Sequence, residues 1–293
     1  MNTGLKMKML SRVQEALMED LTYKDISVEG IIDEYQDARA DLIAKEDGVI
    51  CGIDIFCHTF KILDPDARFE LYTKEGDRIV KGQKIARIYS KAQAMLFAER
   101  TALNFIQRMS GIATMTRKMV DILDDDRIGL ADTRKTAPGL RIFDKYSVTI
   151  GGGVNHRYNL SDMVMLKDNH IGVAGSIKEA VKRSRRSISF TSKIEVEVED
   201  LDMVREALES GCDIIMLDNM DIGTIKEAVS MIGDSALIEV SGNIGLDDIS
   251  SYRGLGIDII SCGALTHSVK ALDMSLKNMR ICLLYTSPSP RDS

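Results

Sequence analysis

The residues best suited to chemistry crowd into the stretch from Ala131 to Ile171. Arg134, Lys135, Arg141, Lys145, His156, Arg157 and Lys167 all fall there, with Pro138 and the run Gly151, Gly152, Gly153. The cations sit among glycine, asparagine and apolar residues, with few acidic neighbours in the sequence to pair with. Consecutive glycines let a backbone approach a ligand or take a positive φ. Arginines and lysines beside such a loop suit a small, multiply charged anion. The alternative is a solvated basic loop. The chain as a whole is acidic, with a net charge of −7 over 293 residues, which argues against general binding to nucleic acid or membrane surfaces. An anion site must therefore be a local positive pocket.

A second set of polar residues recurs with the secondary-structure pattern. From Arg127 onward, the runs RIGLADTR, MVMLKD, KIEVEVE, DIIMLDN, ALIEVSG and DIISCGA read as strands. Most are separated by helical stretches such as SIKEAVKRSRR, DLDMVREALESG, DIGTIKEAVSMIG and LDDISSYRGLG. This alternation implies parallel strands with crossover helices. No GxGxxG follows the first strand, so a nucleotide-binding Rossmann unit is disfavoured and an α/β barrel, short of eight strands, is favoured. In such barrels the reactive groups lie at the C-terminal strand ends. Those ends hold Arg134 and Lys135, Lys167 and Asp168, Glu197 and Glu199, Asp218 and Asn219, Ser241 and Gly242, and Gly263. In KIEVEVE, Glu195, Glu197 and Glu199 share one face, expected to be the barrel interior, with Lys135 and Lys167 as candidate partners. Two glycine turns, SGNIG and SCGALTH, follow the last strands, where barrel enzymes often bind phosphate. The combination suggests a phosphorylated ribose, a metal-bound pyrophosphate and an anionic co-substrate.

The first part of the chain has different grammar. Residues 5–21 have helical spacing and 22–35 suggest a turn with a short helix. Between Arg39 and Tyr89, short β-type runs broken by Gly and Asp suggest antiparallel strands. The piece EGDRIVKGQKIARI resembles the turn of biotinyl and lipoyl carrier domains, but no lysine is displayed on an adjacent hairpin. Residues 91–123 are strongly helical, with a break expected at Ser110-Gly111 and Arg100 in mid-helix. The five cysteines are scattered without a CxxC, so neither disulfides nor a structural zinc site are expected. No long apolar run or signal peptide is evident, and a soluble cytoplasmic protein is expected.

The motifs DTRKTAPGLR, GGGVNHR, LKDNHI, EVEVED, MLDNM, EVSGNI and SCGALTHS, preceded by ERTALNFIQRMSGIAT, closely resemble the nicotinate-nucleotide pyrophosphorylase (carboxylating), or quinolinate phosphoribosyltransferase, family. The resemblance runs from about residue 10 to 275, in order and in spacing. It implies an N-terminal α/β sandwich over residues 1–112, then an incomplete TIM-like α/β barrel over 113–270. A C-terminal helix over 271–282 would pack back on the N-terminal domain. Residues 283–293, rich in Ser and Pro, read as a disordered or non-native tail. The resemblance also implies a homodimer in which Arg100 reaches the partner's site.

The implied reaction joins quinolinate to phosphoribosyl pyrophosphate with Mg²⁺, giving nicotinate mononucleotide, pyrophosphate and CO₂ in NAD biosynthesis. By motif, Arg100, Arg134, His156, Arg157 and Lys167 would bind the two carboxylates, and Lys135 the pyrophosphate, with Lys167 close to it. Glu197 and Asp218 would manage metal and ribose hydroxyls; Ser241, Gly242, Asn243, Gly263 and His267 would hold the 5′-phosphate. Beside Arg157, His156 has the alternative of only orienting its loop. Three departures stand out. Lys24-Asp25-Ile26-Ser27 replaces a frequent Gly-Asp-x-Thr, Ala137 a common threonine, and Asn243 the usual second glycine, where asparagine tolerates left-handed geometry. Rival readings are a molybdate-transport-associated paralogous phosphoribosyltransferase with another substrate, and a non-catalytic phosphoribosyl pyrophosphate sensor.

Overall fold

The computed structural model describes residues 3–282 except 22, 24, 29 and 34. The expectation for the 283–293 tail lies outside these residues, as does Lys24. The described residues form two compact units, one comprising the chain up to Thr114 and again from Lys270, the other Met115–Val269.

The first unit opens with α1 (Thr3–Asp20), whose Met9, Val13 and Leu17 recur at every fourth position and are buried, the stripe that helical spacing dictates. The described residues between 25 and 36 form turns, without the expected short helix. Strands β1 (Asp37–Ala44), β3 (Arg68–Leu71), β5 (Lys84–Lys91) and β12 (Met274–Ile281) make an antiparallel sheet of order β12-β1-β5-β3. A separate small pair joins β2 (Gly48–Val49) and β4 (Arg78–Ile79). Alternation along β1 turns Ala38, Ala40, Leu42 and Ala44 to the core. Their small side chains leave room for helices α2 (Ile53–Leu63) and α3 (Ala92–Leu123), which contribute Phe56, Phe60, Met95, Ala98 and Ile106.

Three further sequence expectations fail in this unit, each for a tertiary reason. The span from Arg39 to Tyr89, read as antiparallel strands, also contains helix α2. Its first free backbone N–H groups, on Gly52 and Ile53, donate to the Glu75 carboxylate at 2.7 and 3.1 Å, a cap supplied from far along the chain. Helix α3 runs unbroken through Ser110-Gly111. A side chain at 111 would put its Cβ 2.2 Å from the Lys270 carbonyl oxygen, so this glycine serves close packing. Finally, the expected helix over 271–282 is strand β12, antiparallel to β1 with Ala44 opposite Met274 and Ala38 opposite Ile281. It covers an edge that β1 would otherwise expose.

The second unit contains β6 (Gly129–Ala131), α4 (Arg141–Ile150), β7 (Val164–Leu166), α5 (Asp168–Ala174), α6 (Ile177–Ser187), β8 (Ile194–Val198), α7 (Leu201–Ser210), β9 (Ile214–Asp218), α8 (Ile222–Ile232), β10 (Leu237–Ser241), β11 (Ile259–Ser261) and α9 (Ala264–His267). The six strands are those expected, and all pair in parallel in the order β6-β11-β10-β9-β8-β7. The strand that comes first in the chain neighbours the last, while the others follow in sequence. A single bridge from Ala131 to Val154 begins the approach from β6 towards β7. This is the topology of an incompletely closed barrel. Side-chain convergence supports the curl: Glu195 of β8 and Glu239 of β10 both reach His156, which follows β6. Between β10 and β11 the expected helix is only a short 3₁₀ turn, Ile249–Tyr252. No helix among the described residues is long and apolar enough to cross a membrane.

Candidate functional site

The C-terminal strand ends of the second unit surround a cavity of about 740 Å³. Of the residues singled out from sequence, Arg134, Lys135, His156, Arg157, Lys167, Glu197, Asp218, Ser241, Gly242, Asn243, Gly263 and His267 all line it. Register explains the convergence. Asp218 pairs with Ser241 and Ser241 with Ser261, so consecutive strands end at one level. Arg100 lies in the other unit, exposed on α3, and is not among the lining residues.

Not every residue of the cationic stretch faces the cavity. Lys145, fully buried on α4, makes an ion pair with Asp132 and donates to the His156 carbonyl at 2.8 Å. Asp132 also accepts from the Asn155 side chain at 2.7 Å and the His156 N–H at 2.9 Å. This pair is a brace for residues 155–157 and supplies no charge to a ligand. Arg141 is likewise occupied, donating to the Tyr158 carbonyl at 3.0 Å and the Thr136 hydroxyl at 3.1 Å. The triple glycine is absent from the cavity wall. A Cβ on Gly153 would meet the Leu130 carbonyl oxygen at 2.7 Å and Val148 at 2.8 Å. Its role is to let the chain pass close to β6 and α4. The carboxylate series of β8 also divides. Glu195 is buried, Glu197 half-buried at the rim, and Glu199 exposed beyond the strand. Glu197 pairs with Lys167 as expected, whereas Glu195 faces His156 and neither lysine.

What remains on the wall is a cationic half with no counter-ion. Among the described residues, Arg134, Lys135 and Arg157 form no ion pair, and the Arg134 Nε is buried without a hydrogen-bond partner. Arg157 spends one donor on the Met163 carbonyl (3.2 Å) and one on the Met165 sulfur (3.4 Å). Burial, and then the neighbouring Arg134 charge, lower its pKa from the usual guanidinium value. Two partly buried guanidiniums that oppose one another are stabilised by an anion with two acceptor groups.

His156 sits differently from the sequence expectation. Its Nε2 lies 3.2 Å from Glu195 and 3.4 Å from Glu239, and its Nδ1 receives the Arg157 backbone N–H at 2.7 Å. Burial works against charge on the ring, but the hydrogen bonds and fields of Glu195 and Glu239 outweigh it and raise the pKa to about 10. Burial likewise raises the pKa of Glu195. An imidazolium would have no lone pair for the Arg157 N–H. Nε2 carries the proton that faces the two carboxylates, and Nδ1 accepts the Arg157 N–H when the ring is neutral.

The opposite wall suits phosphate and metal. Gly242 has φ +112°, and a Cβ there would lie 2.3 Å from the Asn219 side-chain oxygen. Asn243 adopts φ 47°, the left-handed geometry expected of it. Gly263 lies close against the His267 and Lys135 side chains: a Cβ would meet them at 3.0 and 3.1 Å, and they would have to give way by a few tenths of an ångström. Asp218 accepts from the Asn219 amide through one oxygen and Glu197 from Lys167 through one oxygen. One further oxygen on each is therefore positioned at the rim for a hard cation shared with phosphates, the usual manner of Mg²⁺. Sequence reasoning missed Asp132, Glu239, Met165, Met216, Ser261 and Cys262. The first organises the brace and the others line the cavity; inward alternation along the strands is the signal that could have found Met165, Met216, Glu239 and Ser261, whereas Cys262 follows the end of β11.

Comparison with known proteins covers both units. Residues 25–110 match the family model described as quinolinate phosphoribosyl transferase, N-terminal domain, and residues 112–277 match the corresponding C-terminal domain. A Bacillus subtilis protein named probable nicotinate-nucleotide pyrophosphorylase [carboxylating] is 44% identical, over 88% of this chain and 89% of its own length. A Nicotiana glauca protein named quinolinate phosphoribosyltransferase [decarboxylating] 2, mitochondrial, is 42% identical, over 90% of this chain and 80% of its own. The crystal structure of NadC from Streptococcus pyogenes superposes with a TM-score of 0.90 at 45% identity, covering 93% of this chain and 96% of that one.

Proposed function

The chain belongs to the quinolinate phosphoribosyltransferase family, and from that premise we propose that its cavity joins quinolinate to the ribose of phosphoribosyl pyrophosphate and releases CO₂. The observation that carries the reading is the set of cations without counter-ions, Arg134, Arg157 and Lys135, facing Glu197 and Asp218 across one cavity. Arg134 and Arg157 take the two carboxylates. Fixed donors there replace the water that a dicarboxylate must lose. The pyridine nitrogen then stands over the anomeric carbon. It attacks as pyrophosphate leaves, towards Lys135 with Lys167 close by. Carboxylates of Glu197 and Asp218 face the positive charge that develops on the sugar and hold the ribose hydroxyls. Mg²⁺ carried on the pyrophosphate would be held by the same two side chains and would neutralise the leaving group. Ser241, Gly242, Asn243, Gly263 and His267 form the 5′-phosphate cradle. Loss of the 2-carboxylate as CO₂ leaves an electron pair on the ring carbon beside the cationic nitrogen, and that carbon takes up a proton to give nicotinate mononucleotide, a step in NAD biosynthesis.

The protein acts as a cytoplasmic homodimer, with Arg100 completing the carboxylate subsite of the partner subunit. Its exposure on α3 in the single chain supports that role. Mixing Arg100→Ala with Arg157→Ala subunits then restores activity through hybrids that contain one intact site; no restoration in mixed dimers would assign Arg100 elsewhere.

The decisive assay supplies quinolinate, phosphoribosyl pyrophosphate and Mg²⁺, with nicotinate as the control acceptor. Nicotinate mononucleotide and CO₂ from quinolinate alone support the reading. No product from a protein that still binds phosphoribosyl pyrophosphate refutes it, and favours the paralogue or the sensor.

A further inference from the structure

Below the rim, the barrel interior holds two carboxylates that the reaction above does not use. Glu195 of β8 is fully buried and Glu239 of β10 is 3% exposed. Apart from His156, no protein donor among the described residues approaches either Glu195 oxygen or Glu239 Oε1. The group that faces both is the His156 imidazole, through Nε2. Its other nitrogen is occupied by the Arg157 backbone N–H, so the ring has no nitrogen left for a substrate. A ring gripped on both edges cannot turn over without placing carbon against the carboxylates and releasing that N–H.

We propose that Glu195 and Glu239 are positioning residues, which clamp His156 from inside the barrel and through it hold Arg157 at the cavity wall where the substrate's carboxylates dock. The proposal refines the dicarboxylate subsite and rests on the function proposed above. It reassigns His156 from a ligand of the substrate to a link in the support of its neighbour. The brace of Asp132 and Lys145 fixes the same segment through backbone atoms. The clamp adds what the brace lacks, a fixed path from the barrel interior to the Arg157 amide. Two guanidinium donors of Arg157 are already taken by Met163 and Met165, leaving the rest for an anion. An arginine with so few anchors of its own depends on its backbone being held.

The test uses the full-length protein with Glu195→Gln, Glu239→Gln and both together, which keep side-chain shape and remove charge. KM for quinolinate is expected to rise about ten- to hundredfold, the worth of a charge-assisted hydrogen bond, with KM for phosphoribosyl pyrophosphate unmoved. Hydrogen exchange of the 155–158 segment should quicken in the same variants while the rest of the barrel keeps its protection. His156→Ala combined with Glu195→Gln should add little to His156→Ala alone, because the two act as a unit. An unchanged KM for quinolinate with wild-type exchange overturns the proposal. So does a parallel rise in both KM values with general loss of protection, which would make the cluster a mere core element. Stoichiometric transition metal retained by the wild type and lost with Glu195→Gln also overturns it, since the three side chains are close enough to share an ion. Should the wild type take no quinolinate, the function proposed above falls, and the exchange measurement alone decides the clamp.

Discussion

Charge is handled in opposite ways in the two units. In the antiparallel sheet of the first, Asp41 is nearly buried and fully engaged. Arg87 grips both of its oxygens, at 2.8 and 3.3 Å, and Lys84 lies 3.1 Å away. In the second, Arg134 and Arg157 stand side by side at a cavity and form no ion pair with any described residue. The residue types are the same. The difference is who supplies the counter-charge: the chain itself in the first case, a ligand in the second. A charge that the fold satisfies holds the fold together, whereas a charge left unanswered at a cavity raises the free energy of the empty protein and is stabilised when an anion arrives. The Asp132–Lys145 pair shows that the second unit also satisfies charges when they serve as structure.

That contrast is broken most sharply at Lys145. Lys145→Ala strands Asp132 in the interior, and loss of one partner of a buried pair costs about 3 to 5 kcal/mol. Urea unfolding should show it. A small shift instead would mean that Asp132 finds water or a proton at little cost, and the pair would no longer count as structure. Arg134→Ala should do the reverse. Activity (kcat/KM with quinolinate) falls about 10²- to 10³-fold, as when a preorganised donor is removed from a developing or bound charge. Stability stays level or rises slightly, because the Arg134 charge is one cause of the lowered Arg157 pKa. A variant that loses stability as Lys145→Ala does would place Arg134 on the structural side of the comparison.

Much of this division was legible in the sequence. The six strands from Arg127 onward were read from β-type runs alternating with helical spacing, and Arg134, Lys135, Lys167, Glu197, Asp218, Ser241, Gly242 and Gly263 from their positions at strand ends, whereas the roles of His156, Arg157, Asn243 and His267 came from the resemblance. Those signals are local, and a parallel barrel repeats them at each unit. Lys145 and Arg141 were counted with the ligand-binding cations because sequence shows a charge but not its partner: Asp132 lies thirteen positions upstream of Lys145 and meets it only after α4 folds back. Helix α2 was hidden for a similar reason, since Glu75 provides its cap from 22 residues away. Gly111 looked like a helix breaker because the chain it packs against, at Lys270, is remote. Strand β12 carries alternation that is too weak to outweigh the helix implied by resemblance. Half of its residues are exposed and only Met274 is buried, and its partner strand is at the other end of the chain.

A smaller effect tests the satisfied side through pH. The hydrogen bond from Arg87, opposed by burial and aided by Lys84, holds the Asp41 pKa at about 2, below its ordinary 3.8. A carboxylate whose pKa is depressed by folding contributes stability above its unfolded pKa and loses it as pH falls through the folded value. Wild type should therefore exceed Asp41→Asn by about 1 to 2 kcal/mol at pH 5 to 7. The gap should shrink between about pH 4 and 2. A gap independent of pH across that window would show that shape, and not charge, accounts for the contribution of Asp41.

The smallest effect separates two neighbours in the phosphate cradle, where the comparison passes from charge to backbone. Gly242 and Asn243 both have positive φ, yet only one of them is irreplaceable. At 242 a Cβ would lie 2.8 Å from the Asn219 backbone nitrogen as well as against its side chain, so Gly242→Ala must displace the turn after β9 and should raise KM for phosphoribosyl pyrophosphate. At 243 the side chain is exposed, and asparagine carries the left-handed conformation at modest cost. Asn243→Gly relieves that cost but frees the unfolded chain by a similar amount. The two terms nearly cancel, and stability should move by less than about 0.5 kcal/mol. KM for phosphoribosyl pyrophosphate should not move either, since the backbone that binds phosphate keeps its shape. A rise in KM with Asn243→Gly would mean that the asparagine amide itself contacts the phosphate, and position 243 would then join Arg134 among the groups whose partner is the ligand.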